Sequence, residues 1–355
     1  MEIYEAFVLG VGTMNSVKRY NLVIKTLSPV HIGDGSEVGK KEFVLDRNLA
    51  IIPDMRKLYD YCKQRRLGDR FVNFMQDNRP LFFFFRENGI QKNDYQRFIS
   101  YTAGWEGNER PAAFKSFIKD SYGCPYVPGS SVKGALRTAL LAAVLSKEQG
   151  PRFKEIYSKS DNRQVARTIE ETAFGSINKS IFRGLRVSDS QPLDKSGLIL
   201  CRKIDAGVDG RENALNIYRE CIKPGTIISC RVDIDENIIG LSAEDIEKAV
   251  HSFSKIYLDC FLSRYRKFIP ESQRNKTMLL GGGTGFVSKT FIYPLFGYEE
   301  GLKKTSVFLS RKFPKHHHTE DVRLGASPHT LKLTRYRETP VEMGLCSASF
   351  NEIKS

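Results

Sequence analysis

The feature that most restricts the fold is an order of elements that occurs twice along the chain: strand, helix, strands. In the first pass Tyr20–Leu27 alternates apolar and polar residues and reads as a strand. A glycine-rich turn follows at His31–Ser36. Phe43–Leu45 and Leu49–Ile52 read as a hairpin around Asp46-Arg47-Asn48. Pro53 then starts a helix that reaches about Met75. Leu81–Phe85 is an apolar run, and Gln91–Ser100 and Ala112–Ile118 read as short helices. With Trp105 between Gly104 and Gly107, this stretch reads as an insertion outside the core. Ala135–Leu145 is an apolar helix with Ser130 or Ser131 as its N-cap, and polar helices fill 151–174.

The second pass begins near residue 180. Leu185–Ser188 and Leu198–Ala206 read as strands. Leu215–Cys221 and Thr226–Ile234 flank Lys223-Pro224-Gly225, a hairpin signal. Glu244–Phe268 is the strongest helix, capped by Ser242, with acids in its first turn and Arg264, Arg266 and Lys267 in its last. Leu331–Leu333 and Val341–Met343 close the chain as strands. The order fits an α+β protein of two units with antiparallel sheets, residues 1–178 and 179–355. A ferredoxin-like pair is one such arrangement.

Composition excludes several classes. Hydrophobic residues are 41 % and charged residues 27 %, too balanced for a chain disordered throughout. The longest purely apolar run, Ala139–Leu145, falls far short of the ~20 residues of a membrane-spanning helix. Glu2 and Glu5 sit where a secretory signal carries positive charge, and the fold is expected to begin near Met14. The seven cysteines are scattered and read as reduced core thiols of a cytoplasmic protein. The formal charge of +14 suggests a polyanionic partner, most often nucleic acid.

Two motifs suit such a partner. Gly281-Gly282-Gly283-Thr284-Gly285-Phe286 permits positive φ and brings backbone N–H groups close to a phosphate. It lacks the Gly-Lys-Ser/Thr of a Walker loop and the spacing of a dinucleotide fingerprint, so no cofactor is expected. It fits a ligand-free tight turn equally well. Pro128-Gly129-Ser130-Ser131-Val132-Lys133 leads to Arg137, four residues beyond Lys133 and on the same helix face. That pattern fits either an anion site or a well-capped helix with exposed basic residues. Ser130-Ser-Val-Lys133 also matches S-x-x-K of penicillin-binding enzymes. Its companion motifs, Ser188-Asp189-Ser190 and Lys195-Ser196-Gly197, lie too close together for that reading. His316, His317 and His318 follow Lys315 in a basic loop, and Asp34, Glu37 and Glu42 cluster near the first glycines. Both groups read primarily as solvated loop residues. No residue is assigned a catalytic or metal-binding role.

Taken together the sequence resembles the RAMP superfamily of CRISPR-Cas proteins. Within it, the match is to the subunit family that caps the crRNA 3′-end side of type III-A (Csm) effector complexes. Four features carry the resemblance: Leu27-Ser-Pro-Val-His-Ile-Gly-Asp-Gly, Val127–Arg137, Leu279–Phe286, and Ser327-Pro-His-Thr-Leu-Lys-Leu-Thr with Glu342-Met-Gly-Leu-Cys346. The resemblance implies two RRM-like (ferredoxin-like) domains with helical insertions. It implies binding of crRNA, transient contact with target RNA, and neighbours in a repeated backbone RAMP subunit and a small helical subunit. A part in crRNA maturation follows, by recruiting or positioning a nuclease. RNA contact carries onto Gly281, Gly282, Gly283, Thr284, Gly285, Phe286, Ser130, Ser131, Lys133 and Arg137, with charge from Lys289 and a turn role for His31. The aspartate with which backbone subunits cut target RNA falls here near Glu42, so target cleavage is not expected. The alternative is an endoribonuclease of the same class that processes crRNA itself, with His31 or His316–His318 as base. A metal-dependent nuclease using Asp34 and Glu42 is the third reading.

Overall fold

The computed structural model describes residues 17–105, 110–146, 150–159, 164–268 and 278–354. The expected start of the fold near Met14 lies outside them. Strand β1 (Val17–Thr26) buries Tyr20, Leu22 and Ile24 on one face, as its alternation requires. Strand β2 (Gly33–Gly39) occupies the segment expected to be a glycine-rich turn; it is exposed and irregularly paired. The hairpin of β3 (Val44–Asp46) and β4 (Leu49–Pro53) turns at Arg47, whose φ is 49°. The single helix expected after Pro53 is two, α1 (Met55–Gln64) and α2 (Gly68–Gln76), because Arg66 takes a φ of 57° between them. Together with α3 (Leu81–Glu87) they enclose a small aromatic core around Phe71, Phe74, Phe84 and Phe98.

The next two elements correct the sequence reading. β5 (Ile99–Trp105) places Trp105 in the main core, 5 % exposed, against Tyr218. Ala113–Phe117, read as helix, is strand β6. Both strands find parallel partners about a hundred residues later, information that local pattern does not hold. Helix α4 (Gly129–Leu145) begins earlier than read. Neither Ser130 nor Ser131 caps it; Asp189 Oδ1 accepts from the Gly129 N–H at 2.8 Å. Close packing explains the choice: a Cβ on Gly129 would lie 2.2 Å from the Val187 carbonyl oxygen. Helices α5 (Gly150–Lys159) and α6 (Val165–Phe174) follow.

Strands β7 (Leu185–Val187), β8 (Leu198–Gly207), β9 (Glu212–Ile222) and β10 (Ile227–Asp235) come next. β9 and β10 are not a hairpin. Lys223-Pro224-Gly225 carries the chain from one sheet to the other, and β9 pairs instead with β8. A short α7 (Glu236–Ile239) precedes α8 (Ala243–Cys260), whose capping box joins Ser242 and Asp245. α8 stops before Arg264 because Phe261, Leu262 and Tyr265 turn into a second core in 3₁₀ turns. The chain ends with β11 (Met278–Leu279), α9 (Ile292–Lys312), α10 (Asp321–Leu324), β12 (Thr330–Tyr336), β13 (Thr339–Glu342) and β14 (Leu345–Glu352).

One sheet is antiparallel, in the order β11-β14-β1-β10-β7. The other runs β2-β6-β9-β8-β5-β4-β3 and is mixed, with β12 and β13 continuing from the far end of β8. Helices α4 and α8 pack together in the main core, to which they contribute Leu136, Leu140, Ile246 and Val250 beside the inner face of β1. Both sheets take strands from each side of residue 178, so a boundary there divides chain order rather than sheets. No helix among the described residues is long and apolar enough to cross a membrane.

Candidate nucleic-acid interface

Three sequence motifs converge where the two sheets meet. The His31 carbonyl accepts from the Gly282 N–H at 2.7 Å. The Gly344 carbonyl accepts from the Leu280 N–H, and the Pro29 carbonyl accepts from the Gly344 N–H, both at 2.8 Å. Gly281 has a φ of 85°, and a Cβ there would sit 2.2 Å from the His31 oxygen. Thr284 is buried and accepts from Ser288 Oγ at 2.8 Å, which ties the loop to the turn after it. The glycine loop is thus a backbone junction first. Half-buried Gly285 and Phe286 lead from it towards the exposed Lys289.

His31 stands at the centre of this junction and is 5 % exposed. Its Nδ1 donates to the Glu220 carbonyl at 2.7 Å, and its ring meets Phe117 edge-on. Burial lowers its pKa to about 4, so at neutral pH it is an uncharged packing group. Beneath it the fully buried Glu220 carboxylate accepts from the Phe117 N–H at 2.9 Å and from Lys119 Nζ at 2.5 Å. A walled-in imidazole of this kind offers no base to a substrate.

From Phe286 a groove of about 1150 Å³ opens between α9 on one side and α4 to α6 on the other. Phe286 stacks on Phe308 with centroids 5.5 Å apart, and Tyr157 lies under Lys304 Nζ at 5.4 Å. Lys289, Lys304, Arg311 and Lys312 supply positive charge to its walls. Lys289 stays open to solvent, although the surrounding walls displace enough water to lower its pKa. At Glu170 this groove meets a second cavity of about 510 Å³, lined by Lys133, Arg137, Arg167 and Arg183. Basic side chains beside aromatic faces are what backbone phosphates and stacked bases require.

The structure therefore brings Phe286, Lys289, Lys133 and Arg137 onto one continuous surface. Arg137 lies 3.8 Å from Glu170 and over the Phe182 ring. Lys133 has another duty: its Nζ donates to the Phe182 and Leu185 carbonyls at 2.7 and 2.6 Å, and burial lowers its pKa. Ser130 is exposed beside it. Sequence reasoning missed Lys304, Phe308, Arg311 and Lys312. Their spacing, four, seven and eight residues from the first, puts them on one face of a helix and was the available signal. Asp34 is occupied by Ser36, and Glu42 by the Gly39 N–H at 2.8 Å. Of His316–His318, the last is buried rather than solvated. Among the described residues only His318, Asp321 and His329 bring three ligand atoms within 4.8 Å of one another.

Comparison with known proteins places this architecture. The sequence model of the RAMP superfamily matches residues 23–287, most of the chain, and the protein belongs to that superfamily. Within it, the chain is similar to proteins called CRISPR system Cms protein Csm5. The one from Streptococcus thermophilus is 29 % identical over 306 residues, covering 81 % of this chain and 83 % of the relative. The one from Mycobacterium tuberculosis (strain ATCC 25618 / H37Rv) is 28 % identical over 373 residues, covering 94 % and 98 %. Two solved structures share the fold. A chain in a cryo-EM structure of a Csm–crRNA–target RNA ternary complex of a type III-A system matches with a TM-score of 0.66 at 20 % identity. The match covers 93 % of this chain and 100 % of that one. The crystal structure of T. onnurineus Csm5 matches with a TM-score of 0.62 at 18 % identity, covering 92 % and 99 %. The α+β pair of ferredoxin-like units expected from the sequence is the fold these chains have.

Proposed function

We propose that this protein is a crRNA-binding structural subunit of a type III-A CRISPR-Cas (Csm) effector complex. It sits at the crRNA 3′-end side and contributes to maturation by recruiting or positioning a nuclease. The observation that carries the reading is the continuous groove in which Phe286 and Phe308 stack beside Lys289, Lys304 and Arg311. The named relatives support the complex, and the formal charge of +14 supports a polyanionic ligand. Contacts from Gly281–Gly285, Ser130, Ser131 and Arg137 belong to the same proposal. Binding of this kind is mostly directed to phosphate, so it is weakly sequence-specific and salt-sensitive.

Lys304→Ala combined with Arg311→Ala is expected to weaken binding of labelled repeat–spacer RNA about tenfold or more in a filter assay. The slope of log affinity against log salt should fall by about 2. Unchanged affinity and slope would refute the groove assignment. The same samples, run on a denaturing gel with Mg²⁺ or EDTA, test the endoribonuclease alternative. Intact RNA in both conditions fits a structural subunit. Cleavage that co-purifies and vanishes in a site variant fits an enzyme.

A further inference from the structure

Beyond α9 the chain folds back on itself and gathers three side chains from separate turns. His318 precedes α10, Asp321 begins it, and His329 lies just before β12. Asp321 is wholly buried, and no lysine or arginine among the described residues pairs with it. Its carboxylate instead accepts from His318 Nδ1 at 3.0 Å, from Ser327 Oγ at 2.6 Å and from His329 Nδ1 at 2.5 Å. His318 is buried, whereas the His329 side chain is 25 % exposed, so the group opens to water on one side.

The backbone that carries these groups is held from below. Ser306 Oγ donates to the His318 carbonyl, Tyr293 OH to the Ser327 carbonyl and Tyr265 OH to the Pro328 carbonyl, each at 2.7 Å. Buried hydroxyls thus hold the backbone at His318, at Ser327 and at Pro328 beside His329. Support of this kind is what keeps a ligand set in place before the ligand arrives.

We propose that His318, Asp321 and His329 form a binding site for one borderline divalent cation of the zinc class, with water completing the shell on the His329 side. Two imidazole nitrogens and one carboxylate oxygen are a donor set that such ions prefer, and three protein ligands with an open position are a common zinc arrangement. Binding requires both imidazoles to change tautomer, the Nδ1 proton that now meets Asp321 passing to Nε2 so that each Nδ1 lone pair faces the ion. Bonds of about 2.0–2.2 Å then require the His329 nitrogen to back away from the carboxylate to about 3 Å. That movement falls on the side chain with an exposed end. The ion ties the turns after α9 to the start of β12, and so to the second sheet. His316 stacks on His318 with rings 7° from parallel, but it is exposed and outside the ligand set.

The test uses the untagged full chain, loaded with Zn²⁺, gel-filtered and analysed for metal content, with Co²⁺ loading read from its visible bands. Close to one zinc per chain is expected, and removing it with EDTA should lower the melting temperature. His329→Ala should weaken zinc binding about tenfold or more while leaving the circular dichroism spectrum unchanged. Should His318→Ala fail to fold, His329→Ala and the Co²⁺ spectrum of the unmodified chain still decide. His316→Ala with His317→Ala should keep the full equivalent. Zinc below about a tenth of an equivalent would overturn the proposal. So would binding that survives His329→Ala or that is lost with the exposed pair.

Discussion

At Gly281 a single added methyl group would press into the His31 carbonyl, at a backbone φ of 85°. Gly281→Ala is therefore expected to destabilise the protein by about 1–3 kcal/mol, measured by urea unfolding. Two nearby regions make opposite demands on pH. His31 has its pKa lowered from 6.5 to about 4 by burial, so the folded state resists its protonation. Its contribution is complete above pH 6.5 and is lost as pH falls towards 4. Glu342 is buried and accepts from Tyr257 OH at 2.6 Å, and burial raises its pKa from 4.5 to about 7. Its contribution is complete below pH 4.5 and is lost as pH rises through 7. Each is worth about 3 kcal/mol at full extent. The two trends oppose each other between pH 4.5 and 6.5. His31→Gln should expose a fall in stability with rising pH, and Glu342→Gln a fall with falling pH. Parallel pH profiles for the two variants would contradict this account. None of it was legible in the sequence, where His31 stood only beside glycines and Glu342 in a short strand.

At the scale of elements, legibility followed the range of the interactions. β1, the β3–β4 hairpin, the apolar body of α4 and the capped start of α8 are specified by their own periodicity, turns and caps, and the sequence reading found them. The start of α4 was misread because its partner, Asp189, lies sixty residues on. β6 and Trp105 were misread because their partners, β9 and β8, lie about a hundred residues on. The end of α8 was misread because Phe261 and Tyr265 serve a core that only the assembled second sheet creates. α4 shows how one element divides its labour. Lys133 anchors it to Phe182 and to the first residue of β7, Leu185, while Arg137 lines the second cavity that meets the groove. Lys133→Ala is expected to cost about 1–3 kcal/mol of stability by stripping two carbonyls of their donor. Its effect on RNA affinity should be smaller than that of Lys304→Ala. A variant of full stability and lost affinity would reverse these roles.

Over the whole molecule, the charge of +14 announced a polyanion, but only the fold shows where it is focused. Residues from α4, α6, the loop after β11 and α9, far apart in sequence, share one groove, so no single motif could display it. The glycine motif was legible as a special backbone. Its partner, the His31 carbonyl, was not, because 250 residues separate His31 from Gly281. The placing of β1 has a further consequence, for synthesis rather than for binding. This strand is the first described, yet it is hydrogen-bonded on one edge to β10 and on the other to β14. During translation its two edges wait for residues 227 and 345, respectively. The first sheet thus stays open on the second of these edges until β14 has left the ribosome. Until then, a strand bearing Leu22 and Ile24 presents an open edge to its neighbours. Nascent chains stalled before β14 should therefore be far more protease-sensitive and aggregation-prone than their length suggests. In a cell, the order of manufacture makes the arrival of β14 a checkpoint for β1.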